Sequence, residues 1–201
     1  MNNKILKYLA AITTVCISGF VILSVLVHIL NPGLNALRFP LSLYRYASFG
    51  YLVIISLISI GTAELILGYI LYNNRCKGCK GLSILLILMG ISAIITGIIP
   101  MDIEPEYTVR GNIHNLAAGI QFFLFPVVVW IFRSSTSNQS LRTFTLFLAV
   151  TSIALLPFII FTALSENSII QPVYGLLQKI YILFIINLLY AITYTVYFHK
   201  N

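Results

Sequence analysis

The sequence predicts an all-α fold, a polytopic membrane protein built as a six-transmembrane-helix bundle in a single domain, 1–201, with both termini cytoplasmic. Three observations predict it. The 201 residues are 59% hydrophobic and only 8% charged, where soluble domains carry about 25% charged residues. The mean hydropathy is +0.98, so the natural solvent for this surface is lipid. Six apolar runs, at about 8–30, 48–72, 81–99, 113–132, 143–163 and 174–198, each reach the roughly 20 residues that span a bilayer.

The first run follows Lys4 and Lys7, as in a signal peptide. It is longer than a typical signal core, and Asn31-Pro32-Gly33 follows it with no small-x-small cleavage site. It is therefore read as a retained helix. The segments 31–47 and 100–112 are the longest loops, and neither forms a second domain.

Basic residues set the orientation. With a cytoplasmic N-terminus, Lys4, Lys7, Arg75, Lys77, Lys80, Arg133, Arg142 and Lys200 lie inside, against Arg38, Arg45, Arg110 and Lys179 outside, a split of eight to four. The acids Asp102, Glu104, Glu106 and Glu166 then fall outside. The net charge of +7 is scattered between apolar runs rather than gathered on a face, which argues against nucleic acid as a partner.

Ionisable and polar groups are costly inside a bilayer, so their positions point to function or to packing. Glu64 is the one acid inside a span. Gly61 and Gly68 share its helical face, and small residues let a second helix come close. The expectation is a Glu64 buried against the sixth or first helix, with Asn187 at similar depth. A buried carboxyl of this kind suits a proton-coupled transporter; interhelical hydrogen bonding is the plainer alternative.

A second concentration lies at the outer ends of the helices. Pro100-Met-Asp102 closes the third run, and Arg110-Gly-Asn-Ile-His114 opens the fourth. His28 ends the first run and Lys179 begins the sixth. The expectation is that His28, Asp102, His114 and Lys179, with Arg110 nearby, converge on one outward-facing binding site, Asp102 paired with His114 or Lys179. A carboxylate beside an imidazole orients the ring for general-base or ligand chemistry. The alternative is a loop clasp in which Asp102 or Asn112 caps the fourth helix. Gln121 lies two helical turns below His114 on the same face. His28, His114, Asp102, Glu104 and Glu106 lack a metal-site spacing, and His28 with His114 is a weak candidate for a haem clamp. Cys76 and Cys79 form a lone C-x-x-C, short of the four ligands of a structural zinc site; a redox pair or an ordinary basic loop remains open. No phosphate loop, nucleophile elbow or dinucleotide fingerprint occurs.

Five short pieces carry a resemblance: Pro40-Leu-Ser42, Gly50-Tyr-Leu52, Pro100-Met-Asp102, Gly111-Asn-Ile-His114 and Gly175-Leu-Leu-Gln-Lys179. Through them the chain resembles the six-helix membrane proteins grouped as domain of unknown function nine-nine-eight, over nearly its whole length. Lys179 stands where that pattern suggests Arg, which keeps the charge but loses bidentate geometry. The resemblance implies six helices and a membrane location, with no established activity or cofactor.

Three function classes follow. The first is a small binding or scaffolding protein of the cell membrane, with the lipid bilayer as partner and a lipid or small-molecule ligand at a polar outer site. The second is a proton-coupled small-molecule transporter using Glu64. The third is a membrane enzyme acting on lipid-like substrates through Asp102 and His114.

Overall fold

The structure is a computed structural model that describes residues 2–73, 78–103, 108–164 and 171–198, without the side chains of 162–164, 171 and 198. Glu104, Glu106, Cys76, Arg75, Lys77, Glu166 and Lys200 lie outside the described residues. Six α-helices run through the rest: α1 Asn3–Leu30, α2 Tyr51–Tyr72, α3 Cys79–Ile98, α4 Val109–Ser135, α5 Gln139–Leu164 and α6 Tyr174–Phe198. All six are long and apolar enough to cross a membrane, and their limits follow the six apolar runs to within a few residues. An additional short 3-10 helix, Leu41–Tyr46, lies in the first long loop, where the sequence reading placed only a connection.

Local rules explain the helix ends. The Asn2 side chain accepts from the Lys4 amide at 3.0 Å and caps α1, since the first backbone amides of a helix have no partner inside it. Asn138 does the same for α5, accepting from Leu141 N at 3.2 Å. Pro126 and Pro157 sit inside α4 and α5, which continue through them, as membrane bundles tolerate.

Consecutive helices are neighbours, and α1 meets α6 to close the ring. α6 also touches α2 and α4, whereas α5 rests on the outside between α4 and α6. The tightest seam joins α2 to α3. A Cβ added to Gly61 would lie 2.7 Å from the Gly90 carbonyl oxygen, and one added to Gly90 would lie 2.7 Å from that of Gly61. Glycine at both positions lets the two backbones touch, the small-residue packing that holds helices together in lipid. Gly68 continues the seam, and Ser83 Oγ donates to its carbonyl at 2.6 Å. The glycine face of α2 therefore serves α3.

Lipid-facing positions carry large apolar groups, among them Ile22, Leu116, Trp130 and Phe161, all more than half exposed. Cys79 is buried and disulfide-bonded, and Cys16 is a free thiol.

Candidate functional site

Polar groups gather in two places: at the bundle end that carries the Leu41–Tyr46 helix, and halfway down the interior.

At the first place, helix and loop ends expose carbonyls that need donors. The carbonyls at and just past the C-terminal end of α3 receive them from three side chains. Arg45 Nη1 donates to Gly97 O at 2.9 Å and Ile98 O at 3.0 Å. The His114 ring meets Ile99 O through Nδ1 at 2.7 Å, and the Tyr46 hydroxyl donates to Met101 O. Across the bundle end, Lys179 Nζ donates to Ala36 O and Phe39 O, each at 2.7 Å, and to Gly175 O at 3.3 Å. An ammonium has three donors, and all three are used. Beside it, Gln178 Oε1 accepts from Leu41 N at 2.9 Å, and a Cβ on Gly175 would collide with the Phe39 backbone. Lys179 also sits 5.7 Å from the centre of the Tyr44 ring, which stacks at 4.3 Å on His28.

Asp102 has a different partner from the one expected. It accepts from Thr108 N and from Thr108 Oγ1, both at 2.7 Å. These two donors hold its carboxyl below the usual carboxylate range. Thr108 in turn caps α4 by accepting from Gly111 N at 3.1 Å, so Thr108, and not Asn112, is the N-cap. Asn112 lies inside the helix. A Cβ at Gly111 would collide with the Asp102 carboxylate.

The expected single site at this end is therefore corrected to two groups. His28 and Lys179 meet through Tyr44. Asp102 and His114 close the turn from α3 to α4. Among the described residues, Asp102 forms no ion pair with Lys179 or His114; the loop geometry turns it onto Thr108, and the Lys179 donors are already taken. Arg110 is exposed and has no part in either group. Among the described residues no three metal-ligating side chains gather.

The second place is built around Glu64. Its side chain is completely buried. Gln121 Nε2 donates to Glu64 Oε2 at 2.9 Å and to Met89 O at 2.6 Å, so one amide joins α4 to both α2 and α3. Glu64 Oε1 is buried without a hydrogen-bond partner. Both side chains line a cavity between α1, α2, α3, α4 and α6. Its enclosed space comes to about 70 Å³. Its walls are mostly aliphatic, with Ile60, Ile182 and Ile185 prominent, and Leu41, Ser42 and Gln178 stand toward the loop-helix end.

The expectation of a buried Glu64 is thus met. It faces a cavity whose wall includes α6 and α1, and its hydrogen bond goes to α4. Asn187 shares none of this: it is exposed and donates to its own helix at Leu183 O, 2.8 Å. Gln178, Arg45 and Tyr46 were not singled out by residue reasoning, although Gln178 falls within one of the five short motifs. Those motifs now have contacts. Gly111 makes room for Asp102, Gly175 makes room for Phe39, and Gln178 holds the start of the Pro40–Ser42 piece.

The fold and this interior define a multi-pass helical membrane protein with an interhelical cavity ending on a buried carboxyl. Its family is equally definite: the chain belongs to the DUF998 family, described as a protein of unknown function, whose model matches residues 14–195. No curated protein and no solved structure matches the chain.

Proposed function

We propose that this chain is a binding protein of the cell membrane that holds a small, mostly apolar molecule in the interhelical cavity, against Glu64 and Gln121. The observation that carries the reading is the unpartnered Oε1 of a fully buried Glu64 on the cavity wall. Buried polar atoms in lipid are nearly always satisfied, and an occupant would complete this one. The bilayer is its surrounding partner, and membrane-dissolved molecules, lipids included, are its source of ligand. Nucleic acid has no place in the reading. From the eight-to-four split of basic residues, both termini face the cytoplasm and the loop-helix end faces out.

Native mass spectrometry of the protein in mild detergent tests the binding claim. A small molecule should travel with wild type and be absent from Ile182→Trp, which fills the cavity. A wild type that carries no such molecule, in detergent or in lipid nanodiscs, would count against it. For topology, Glu104→Cys in a background without other cysteines should react with an impermeant label added from outside; reaction only from the cytoplasmic side rejects the orientation.

Proton-coupled carriage through Glu64 is a second reading, favoured by the position of that carboxyl midway along a span. Unchanged uptake by Glu64→Gln in proteoliposomes would remove it. Chemistry at Asp102 and His114 has less support, because both side chains are engaged in closing the turn between α3 and α4.

A further inference from the structure

The chemistry of the cavity narrows its occupant further, given the binding reading above. Glu64 Oε1 has no partner, and no described side chain donates to it. Gln121 uses both amide hydrogens, on Glu64 Oε2 and Met89 O. On the wall, Thr96 donates to Ser92 O at 2.8 Å. Glu64 is the single ionisable side chain among the described residues that line the cavity. Ionisable groups of the surrounding elements point elsewhere. His28 of α1 bonds Ser24 O, and His114 of α4 bonds Ile99 O. Arg45 lies on the α3 carbonyls. From α6, Lys179 bonds loop carbonyls, Tyr181 donates to Phe122 O, and Tyr190 pairs with Ser18. Glu64 thus faces an aliphatic space with no counter-charge from the protein.

A buried charge without a partner is strongly unfavourable. An occupant with a carboxylate or phosphate would set like charge against Glu64. A neutral alcohol would satisfy the oxygen but match no charge. A protonated amine does both, through a charge-assisted hydrogen bond about twice as strong as a neutral one. We infer that the cavity takes a lipophilic organic cation, an amine on a compact aliphatic body, whose ammonium meets Glu64 Oε1.

The test uses the full chain in phosphatidylcholine nanodiscs, titrated calorimetrically against empty nanodiscs. The probes are aminoadamantane, hydroxyadamantane and adamantane carboxylate, which share one body and differ in the polar group. The amine should bind about ten-fold or more tightly than the alcohol, and the carboxylate should not bind. Glu64→Gln should abolish the preference for the amine over the alcohol. Equal affinity for amine and alcohol in wild type, or a preference for the carboxylate, overturns the cation assignment and leaves cavity binding standing. No binding of any probe, or binding that survives Ile182→Trp, overturns both. Should Glu64→Gln fail to fold, the wild-type ranking of the three probes decides alone.

Discussion

The loop-helix end and the cavity floor are both polar, and they treat their polar groups in opposite ways. At the end, Lys179, Arg45 and His114 all bond backbone carbonyls, and Asp102 is filled by Thr108. On the floor, Glu64 has one donor and one oxygen left over. The first region holds more charged residues, and its cations and Asp102 are spent on the protein itself; its buried atoms without a partner, His28 Nε2 and Ser24 Oγ, do not line the cavity. What separates a clasp from a site here is unmet hydrogen-bonding capacity on a cavity wall, not the density of polar residues.

Substitutions at the two places should therefore act differently. The largest stability loss is expected for Lys179→Met, which strands the Ala36 and Phe39 carbonyls. It should cost about 3 kcal/mol, since hydrogen bonds to charged groups contribute about 1.5–3 kcal/mol and stranded partners add a desolvation cost. Arg45→Met should cost about 2 kcal/mol by the same reasoning at Gly97 and Ile98. Both are read from melting in detergent, and a loss no larger than that of a lipid-facing control would break the comparison.

Asp102 sharpens it through pH. Its folded carboxyl titrates below the usual 3.8. Its contribution is therefore present above that value and lost as pH falls through the lower folded one. Asp102→Asn should melt below wild type at neutral pH, and the gap should close in acid below 3.8. A gap that stays constant with pH would show that the charge plays no part. The smallest effect belongs to Glu64→Gln, whose melting should stay close to that of wild type. It retains a hydrogen-bonding oxygen for Gln121 and removes a buried ionisable group. A large loss there would make Glu64 a structural residue like those of the clasp.

Helix number and limits were legible because a span needs a set length of apolar residues, and each run such as 48–72 declares that length. Depth was legible for the same reason, which is how Glu64 was placed inside the bilayer. Rotation was not. α6 is apolar nearly all round, so nothing in its pattern distinguishes the lipid-facing Asn187 from the buried Gln178. Gln121 was visible as a polar residue below His114, but its reach to Glu64 depends on which helix stands opposite, and spacing within one chain segment does not encode that. The Leu41–Tyr46 helix was hidden by its brevity. The Lys179 contacts were hidden because their acceptors are backbone carbonyls, present at every residue and so invisible in a sequence.

Gln121 also bears on how the chain is assembled during biosynthesis. α2 and α3 form a hairpin with a short connection and mutual glycine contacts at Gly61 and Gly90, a unit that can pair as soon as both segments leave the insertion machinery. That hairpin presents two acceptors, Glu64 Oε2 and Met89 O, one from each helix. The arriving α4 carries a single amide whose two hydrogens fit both. A slide of α4 by one turn, about 5.4 Å, would take that amide away from both, leaving Met89 O to Ser92 Oγ and Glu64 with no donor. Gln121 is thus a positional latch that fixes the docking depth of the fourth segment on the second and third.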